Sequence, residues 1–302
     1  FYECVSNKVE TSPSGHDYVC GLERDAQGNF YAASSNQGVI RIDAASGEAT
    51  SLAHGLRNPD GIHLTADGAI TVPASEGEWT PASMICLVPP SKVASPATEP
   101  LHFGYGGPRH GETPTLPLIY LPRGVDNSSG SQATVPDDRW GPLQGKMIHL
   151  SFGAANHFLL LRDRVGDQEQ GAVVPLSGDF NSGVHRAKFN PRDGQLYVSG
   201  MNGWGSYAAE DGCLQRVRYT GAPVQLPTEF HVHENGVLVR FAQPVDPAIV
   251  AQAERHFAQA WNYRYSSGYG SPEFSTQLEN VVGHDRLAVV PHMLEERAVF
   301  FE

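Results

Sequence analysis

Two glycine-bearing segments carry the residues best suited to chemistry. His16 lies in SGHDYVCGLERDAQGNFYAAS (14–34), just before a strand-like run, and Arg57 lies in GLRNPDGIHLTADG (55–68), just before another. An imidazole changes charge near neutral pH, so His16 is a candidate general base. A guanidinium keeps its charge and can stabilise an anion that develops in a reaction, which makes Arg57 a candidate partner. Asn-Pro and Asp-Gly are turn dipeptides and account for 58–61. Turn chemistry does not account for Arg57.

Other candidates are scattered. His149, His157 and His185 lie within one stretch of the chain and read either as ligand or metal contacts or as structural histidines. Asp126 and Asn127, in PRGVDNSSG (122–130), are oxygen donors of the kind calcium takes, or residues of an ordinary loop. Trp204, in the Gly-rich GMNGWGSYAAEDG (200–212), reads as an aromatic at the rim of a channel. His231 and His233 share one face of a strand, as an exposed sheet face or half of a metal site. WNYRYSSGYG (261–270) is aromatic enough to bind sugar or to form a small core.

The elements that must position these residues are strands. Helical periodicity is nearly absent before residue 245. RDAQGNFYAAS (24–34), LTADGAITVPAS (64–75) and FNPRDGQLYVSG (189–200) each place a polar turn ending in glycine before a β-rich run. The turn glycines are Gly28, Gly68 and Gly194, and WGPLQGKMIHLSFG (140–153) is a fourth unit in the last gap. A period near 42 with short strands is propeller spacing. It predicts an all-β fold, a β-propeller over 1–221 with roughly five blades present and six needed for comfortable closure. The Pro/Gly-rich stretch 89–117 reads as an insertion loop. Near 221 the texture changes. PTEFHVHENGVLVRFAQPVDP is a strand, an Asn-Gly turn and a second strand, and Asp246 before Pro247 marks a helix start. The expectation for 222–302 is a small β-sandwich-like module, whole or cut short.

A formal charge of −12 over 302 residues argues against a nucleic-acid partner. No apolar run is long enough to span a membrane. The chain begins at Phe1 without Met, which reads as a processed or trimmed product. Cys4, Cys20, Cys86 and Cys213 include no C-x-x-C pair. Cys4 and Cys20 could close a short loop, or all four could be free thiols.

GHDYVCGLERDAQGNFYAA together with GLRNPDGIHLTADG resembles the soluble quinoprotein sugar dehydrogenases, the glucose–sorbosone dehydrogenase-like family. His16, Gly21, Gly28 and Tyr31 fit its first motif; Arg57, Asn58, Pro59, Gly61 and Ile62 fit its R-N-P-x-G-[IL]. SEGEW (75–79) and HFGYGG (102–107) are similar to two further family stretches. PRGVDNSSG, DRWGPLQGKMIHLSFG, GDFNSGVHRAKFNPRDGQLYVSGMNGWG, DGCLQRVRYTG and WNYRYSSGYGSPEFS resemble the planctomycete-type membrane-bound dehydrogenase-like propellers, which often continue into c-type cytochrome domains.

The resemblance implies a six-bladed propeller holding pyrroloquinoline quinone (PQQ) and calcium. It implies His16 as base, Arg57 beside the reduced quinone, and Arg186 as a cation for the cofactor's carboxylates. Gly153 stands where the family has a lysine, and Val184 where it has a second arginine. His185, His157 and Trp204 fall beside the expected cofactor, and Asp126 and Asn127 are the calcium candidates. The implied activity is an extracytoplasmic, periplasmic or extracellular, oxidation of a small sugar or alcohol with a c-type cytochrome as acceptor. The alternatives are a non-redox propeller that binds carbohydrate or a partner, and a metal-dependent hydrolase or lactonase.

Overall fold

The computed structural model describes residues 2–302. The chain forms an all-β structure of several antiparallel sheets with very little helix. The first sheet contains β1 (Cys20–Arg24), β2 (Phe30–Ser34), β3 (Gly38–Ile42) and β4 (Ala49–His54). The second begins with β5 (His63–Leu64), β6 (Ile70–Ala74) and β7 (Met84–Val88). A one-turn helix, α1 (Pro90–Ala94), follows. Then β8 (Leu101–His102) returns to pair in parallel with β4, and β9 (Ile119–Tyr120) closes the second sheet against β7. The stretch 89–117 is therefore a clasp as well as an insertion, since it ties the second sheet to the first.

The third sheet is β10 (Ser129–Thr134), β11 (Met147–Ser151), β12 (Asn156–Val165) and β13 (Gln168–Pro175). The fourth has three strands, β14 (Gly183–Phe189), β15 (Leu196–Met201) and β16 (Gly212–Val217). Each of the four repeat units recognised in the sequence links the first and second strands of one sheet. Asp25 and Asp193 do the same work in two of them. Each carboxylate accepts from the tyrosine at the second position of the next strand, Tyr31 at 2.9 Å and Tyr197 at 2.8 Å. Residues 20–217 thus make four sheets, where a period of 42 predicts roughly five. The clasp and the long β12–β13 hairpin consume the difference.

The sheets stack face to face. Tyr31, Val39, Leu52, Ile70, Val72 and Met84 form the core between the first and second. Ile85, Leu118, Met147 and Leu160 fill the space between the second and third. Ile148, Leu150, Leu159, Val184, Leu196 and Val198 do so between the third and fourth. Burying a side chain of this size stabilises by roughly 1.5–3 kcal/mol. The first strands of successive sheets, β1, β5, β10 and β14, are neighbours. Their N-terminal ends, and the C-terminal ends of the second strands, gather at one end of the stack.

Beyond 217, β17 (Pro227–His233) and β18 (Gly236–Phe241) form the hairpin expected at Asn235-Gly236. The helix at Asp246 is one turn, α2 (Pro247–Val250), capped by the Asp246 carboxylate accepting from the Ala248 amide at 2.8 Å. β19 (Phe257–Ala260) pairs with β20 (Asp285–Ala288). β21 (Pro291–Glu295) and β22 (Ala298–Phe301) complete a sheet in the order β17-β18-β22-β21. β17 packs against β12. All four cysteines are free thiols, so Cys4 and Cys20 are not bridged. No helix of the described residues is long and apolar enough to cross a membrane.

Candidate functional site

A cleft of about 670 Å³ opens where the first strands begin. The N-terminal segment brings His16, Tyr18 and Cys20 to it. The β4–β5 loop brings Arg57, Asn58 and Asp60. Asn127 and Ser128 come from the turn before β10, Phe152 from the end of β11, His185 from β14, Trp204 from the β15–β16 loop, and Tyr269 from the C-terminal region.

His185 is the best-placed titratable group. In β14, Val184 pairs with Gly200 and Arg186 with Ser199, which leaves His185 as an extra residue in a β-bulge. A bulge re-aims a side chain that strict alternation would misplace. Val184 is wholly buried in the core, and the bulge turns both His185 and Arg186 away from it. The His185 ring lies against Phe152, with centroids 4.2 Å apart. Its Nδ1 is hydrogen-bonded to the Asp60 carboxylate. A carboxylate accepts, so Nδ1 carries a proton, and in the neutral ring Nε2 carries the lone pair. Nε2 is buried and has no partner among the described residues. An orienting acid on one nitrogen and a free lone pair on the other is the arrangement of a general base.

Asp60 is held in turn. Arg186 Nη1 donates to the Asp60 carbonyl at 3.0 Å and lies 3.4 Å from its carboxylate. The same nitrogen donates to the His185 carbonyl at 2.9 Å, and Ser131 Oγ donates to that carbonyl at 2.7 Å. Gly61 is required beside Asp60. Its φ is +134°, and a Cβ there would lie 2.7 Å from the Ser131 side chain. Burial pushes the Cys20 thiol up, and the Asp60 charge pushes it further.

The sequence-selected residues fall into two groups. His16 and Arg57 both line the cleft. His16 is exposed; Ser35 Oγ donates to its carbonyl at 2.7 Å, while its ring has no hydrogen bond among the described residues. Arg57 Nη1 donates to the Glu76 carbonyl at 2.8 Å, and its guanidinium sits 5.2 Å from the Tyr269 ring centre. Trp204 lines the cleft and is 74% exposed, resting on Tyr18 and Phe152. Asn127 lines it too.

His157 does not line the cleft. It is buried in β12 beside Phe180, where burial lowers its pKa to about 4. Asp126 is also buried, and its carboxylate accepts from His149 Nε2 and Ser129 Oγ, each at 2.7 Å. Burial alone would raise the Asp126 carboxyl, but the His149 ring beside it, through its electrostatic field and its hydrogen bond, holds it low together with Ser151 and Ser129. Gln132 Nε2 donates to His149 Nδ1 at 2.9 Å, which fixes the tautomer facing Asp126.

The residues do not fit a tricarboxylate quinone in this cleft. Such a ligand needs several converging cations. Among the described residues that line the cleft Arg57 is the one Lys or Arg, and Asp60 and Glu76 bring carboxylates. Arg186 is engaged with Asp60. Val184 faces the core. A side chain at Gly153 would run into the Asn127 carbonyl, to which the Gly153 amide donates at 2.6 Å. Among the described residues no group of three or more His, Cys, Asp or Glu side chains converges as a metal site requires.

No protein-family model matches the chain, and no curated protein matches it. Solved structures to which it is similar include a glucose dehydrogenase, at 18% identity and a TM-score of 0.45 over 65% of this chain and 62% of that one. Another is the soluble aldose sugar dehydrogenase of Escherichia coli in its apo form, at 15% identity and 0.45 over 66% and 63%. A third is the PQQ-bound aldose sugar dehydrogenase of Streptomyces coelicolor, at 13% identity and 0.39 over 98% and 96%. The chain thus spans about three fifths of the length of the first two.

Proposed function

We propose that this chain is a propeller-type enzyme of small sugars or related alcohols, and that His185, oriented by Asp60, takes the proton of a substrate hydroxyl in the cleft. The observation that supports this is the lone pair of His185 Nε2, buried and unpartnered beside a cleft, with Nδ1 held by a carboxylate. An unpaired buried nitrogen costs about 1–3 kcal/mol, which a ligand hydroxyl would recover. His16 contributes a binding contact at the rim, and Arg57 faces the oxygen on which negative charge develops. Removal of a hydroxyl proton is what a sugar dehydrogenase requires of its protein. Oxidation of a CH–OH group in a periplasmic or extracellular setting, in which the hydride would need a two-electron acceptor supplied to this cleft before electrons reached a c-type cytochrome, is the reaction carried over from the family resemblance.

A second reading is favoured by the cleft's charge. One cation against two carboxylates suits a neutral polyhydroxy ligand better than an anionic cofactor, which supports non-redox proton-transfer chemistry with the same base. Calorimetric titration with PQQ, with and without calcium, and an aldose panel assayed with an artificial acceptor separate the two. PQQ binding and dye reduction select the dehydrogenase; sugar binding without either selects the second reading. In both, His185→Gln abolishes turnover while His16→Gln raises KM. A fully active His185→Gln enzyme overturns the assignment of the base.

A further inference from the structure

The C-terminal region enters the cleft through one residue, Tyr269. It stands in Ser266–Gly270, a short loop docked on the segment after β6. The Trp79 amide donates to the Ser266 carbonyl at 3.0 Å, the Gly270 amide to the Gly77 carbonyl at 3.0 Å, and the Ser271 amide to the Pro81 carbonyl at 2.8 Å. Glu78 and Tyr269 form a β-bridge. Nearby, Tyr265 packs on Trp79, with ring centres 4.8 Å apart, and its hydroxyl donates to the Gly104 carbonyl at 2.8 Å.

Two glycines make the seat. A Cβ at Gly77 would occupy the space of the Arg57 side chain. A Cβ at Gly270, whose φ is +67°, would collide with the Glu76 carboxylate. The backbone is thus fixed so that Arg57 takes one face of the Tyr269 ring. A ring has two faces, and Tyr269 is 61% exposed. Trp204 and Tyr18 bring further exposed aromatic surface to the same cleft, packed on each other, with Trp204 also on Phe152. Among the described residues no ring pair joins them to Tyr269, Tyr265 or Trp79, so the two surfaces reach the cleft from separate supports.

We infer that Tyr269 is a specificity-determining residue that holds a cyclic sugar by stacking, and so separates a pyranose from the corresponding open-chain polyol. The inference rests on the cleft being a sugar site. An aromatic face is the negative end of a quadrupole, and the axial C–H bonds of a pyranose ring present a flat, weakly positive patch to it. An open-chain alditol carries the same hydroxyls and one more, formed from the ring oxygen, but no such patch, so hydrogen-bonding groups alone give no contact that only the pyranose can make.

The test is calorimetry of the full chain with glucose, galactose and xylose, each set against its own alditol. At least one pyranose binds about tenfold tighter than its alditol in the unsubstituted protein. Tyr269→Phe keeps that ratio. Tyr269→Ala and Tyr269→Leu bring it near one, by weakening the pyranose alone, while the far-ultraviolet circular dichroism stays unchanged. Tight pyranose binding whose ratio survives both Tyr269→Ala and Tyr269→Leu overturns the role of Tyr269 and leaves the sugar site standing. Equal binding of pyranose and alditol overturns the stacking and leaves the sugar site standing. Binding of neither overturns the sugar-site reading and this inference together.

Discussion

Asp60→Asn is the substitution that most directly probes the proposed base. The side chain keeps its size, and Arg186 Nη1 keeps its two carbonyl acceptors, Asp60 and His185. What is lost is a negative charge at hydrogen-bond distance from His185 Nδ1. When Nε2 takes a proton, the ring becomes cationic, and the missing counter-charge costs on the order of 3 kcal/mol at an effective dielectric near 20. That corresponds to a loss of about a hundredfold in kcat/KM. The loss grows if the new amide turns its NH2 toward Nδ1, since the proton then sits on Nε2 and the lone pair is gone. Nitrogen-15 NMR of the His185 ring reports the tautomer without any substrate. A third readout is Cys20, whose thiol is pushed up first by burial and then by the Asp60 charge. Asp60→Asn should therefore speed its alkylation at mildly alkaline pH. An unchanged His185 spectrum with an unchanged rate constant would refute the dyad.

Two further outcomes concern stability. Gly270→Ala forces an ordinary side chain into a left-handed backbone and into the Glu76 carboxylate, so about 2 kcal/mol of stability and roughly 3 °C of melting temperature should disappear in a thermal scan, with Tyr269 displaced from Arg57. His157 and His63 are both held at about pH 4 by burial, below the usual value for a free histidine. Between pH 6.5 and 4 the unfolded chain binds protons that the folded chain refuses, so stability falls as pH falls across that window. The fully buried His157 contributes roughly 3 kcal/mol of that slope, and denaturant titrations at pH 7 and 4.5 should show His157→Gln with a flatter dependence.

Much of the fold was legible because turns are local. A polar turn ending in Gly28, Gly68 or Gly194 determines where a strand begins from a few residues, and the Asn235-Gly236 hairpin is equally self-contained. The number of sheets was less legible. Division by a period cannot see that 89–117 doubles back to pair with β4, because that pairing joins residues far apart in sequence. The cleft was half legible. His16 and Arg57 stood out by motif and do line it. Asp60 was hidden inside a turn dipeptide that explains itself. A signal for His185 existed: Val184 and Ala187 are both buried yet three apart, an odd spacing that strict alternation cannot place on one face. A bulge between them was the way out, and the bulged residue is the histidine. Tyr269 lay in WNYRYSSGYG, which the sequence marked as aromatic enough to bind sugar or to form a small core, but its place in the cleft depends on backbone contacts to residues nearly two hundred positions away.

In the first, third and fourth sheets the first strands carry their pairing irregularities at one end. The pairing register slips between Cys20 and Glu23 in β1, between Ser129 and Gln132 in β10, and at His185 in β14, each time near the cleft-facing start of a first strand. Asn58, Ser128 and Trp204, all lining the cleft, are among the non-glycine residues at positive φ, with values of 43°, 54° and 43°. Each such residue costs about 1–3 kcal/mol and persists only where its surroundings over-determine it. The opposite ends of the same strands pair in regular register. A stack of sheets held by three continuous cores could tolerate regular strands at both ends, so packing alone does not call for distortion at one. The distortions do have a common consequence: they turn His185 out of the sheet, bring Asp60 to it across Gly61, and leave aromatic side chains standing at the rim. The strain falls where a ligand would sit, and the sheets beneath supply the stability that tolerates it.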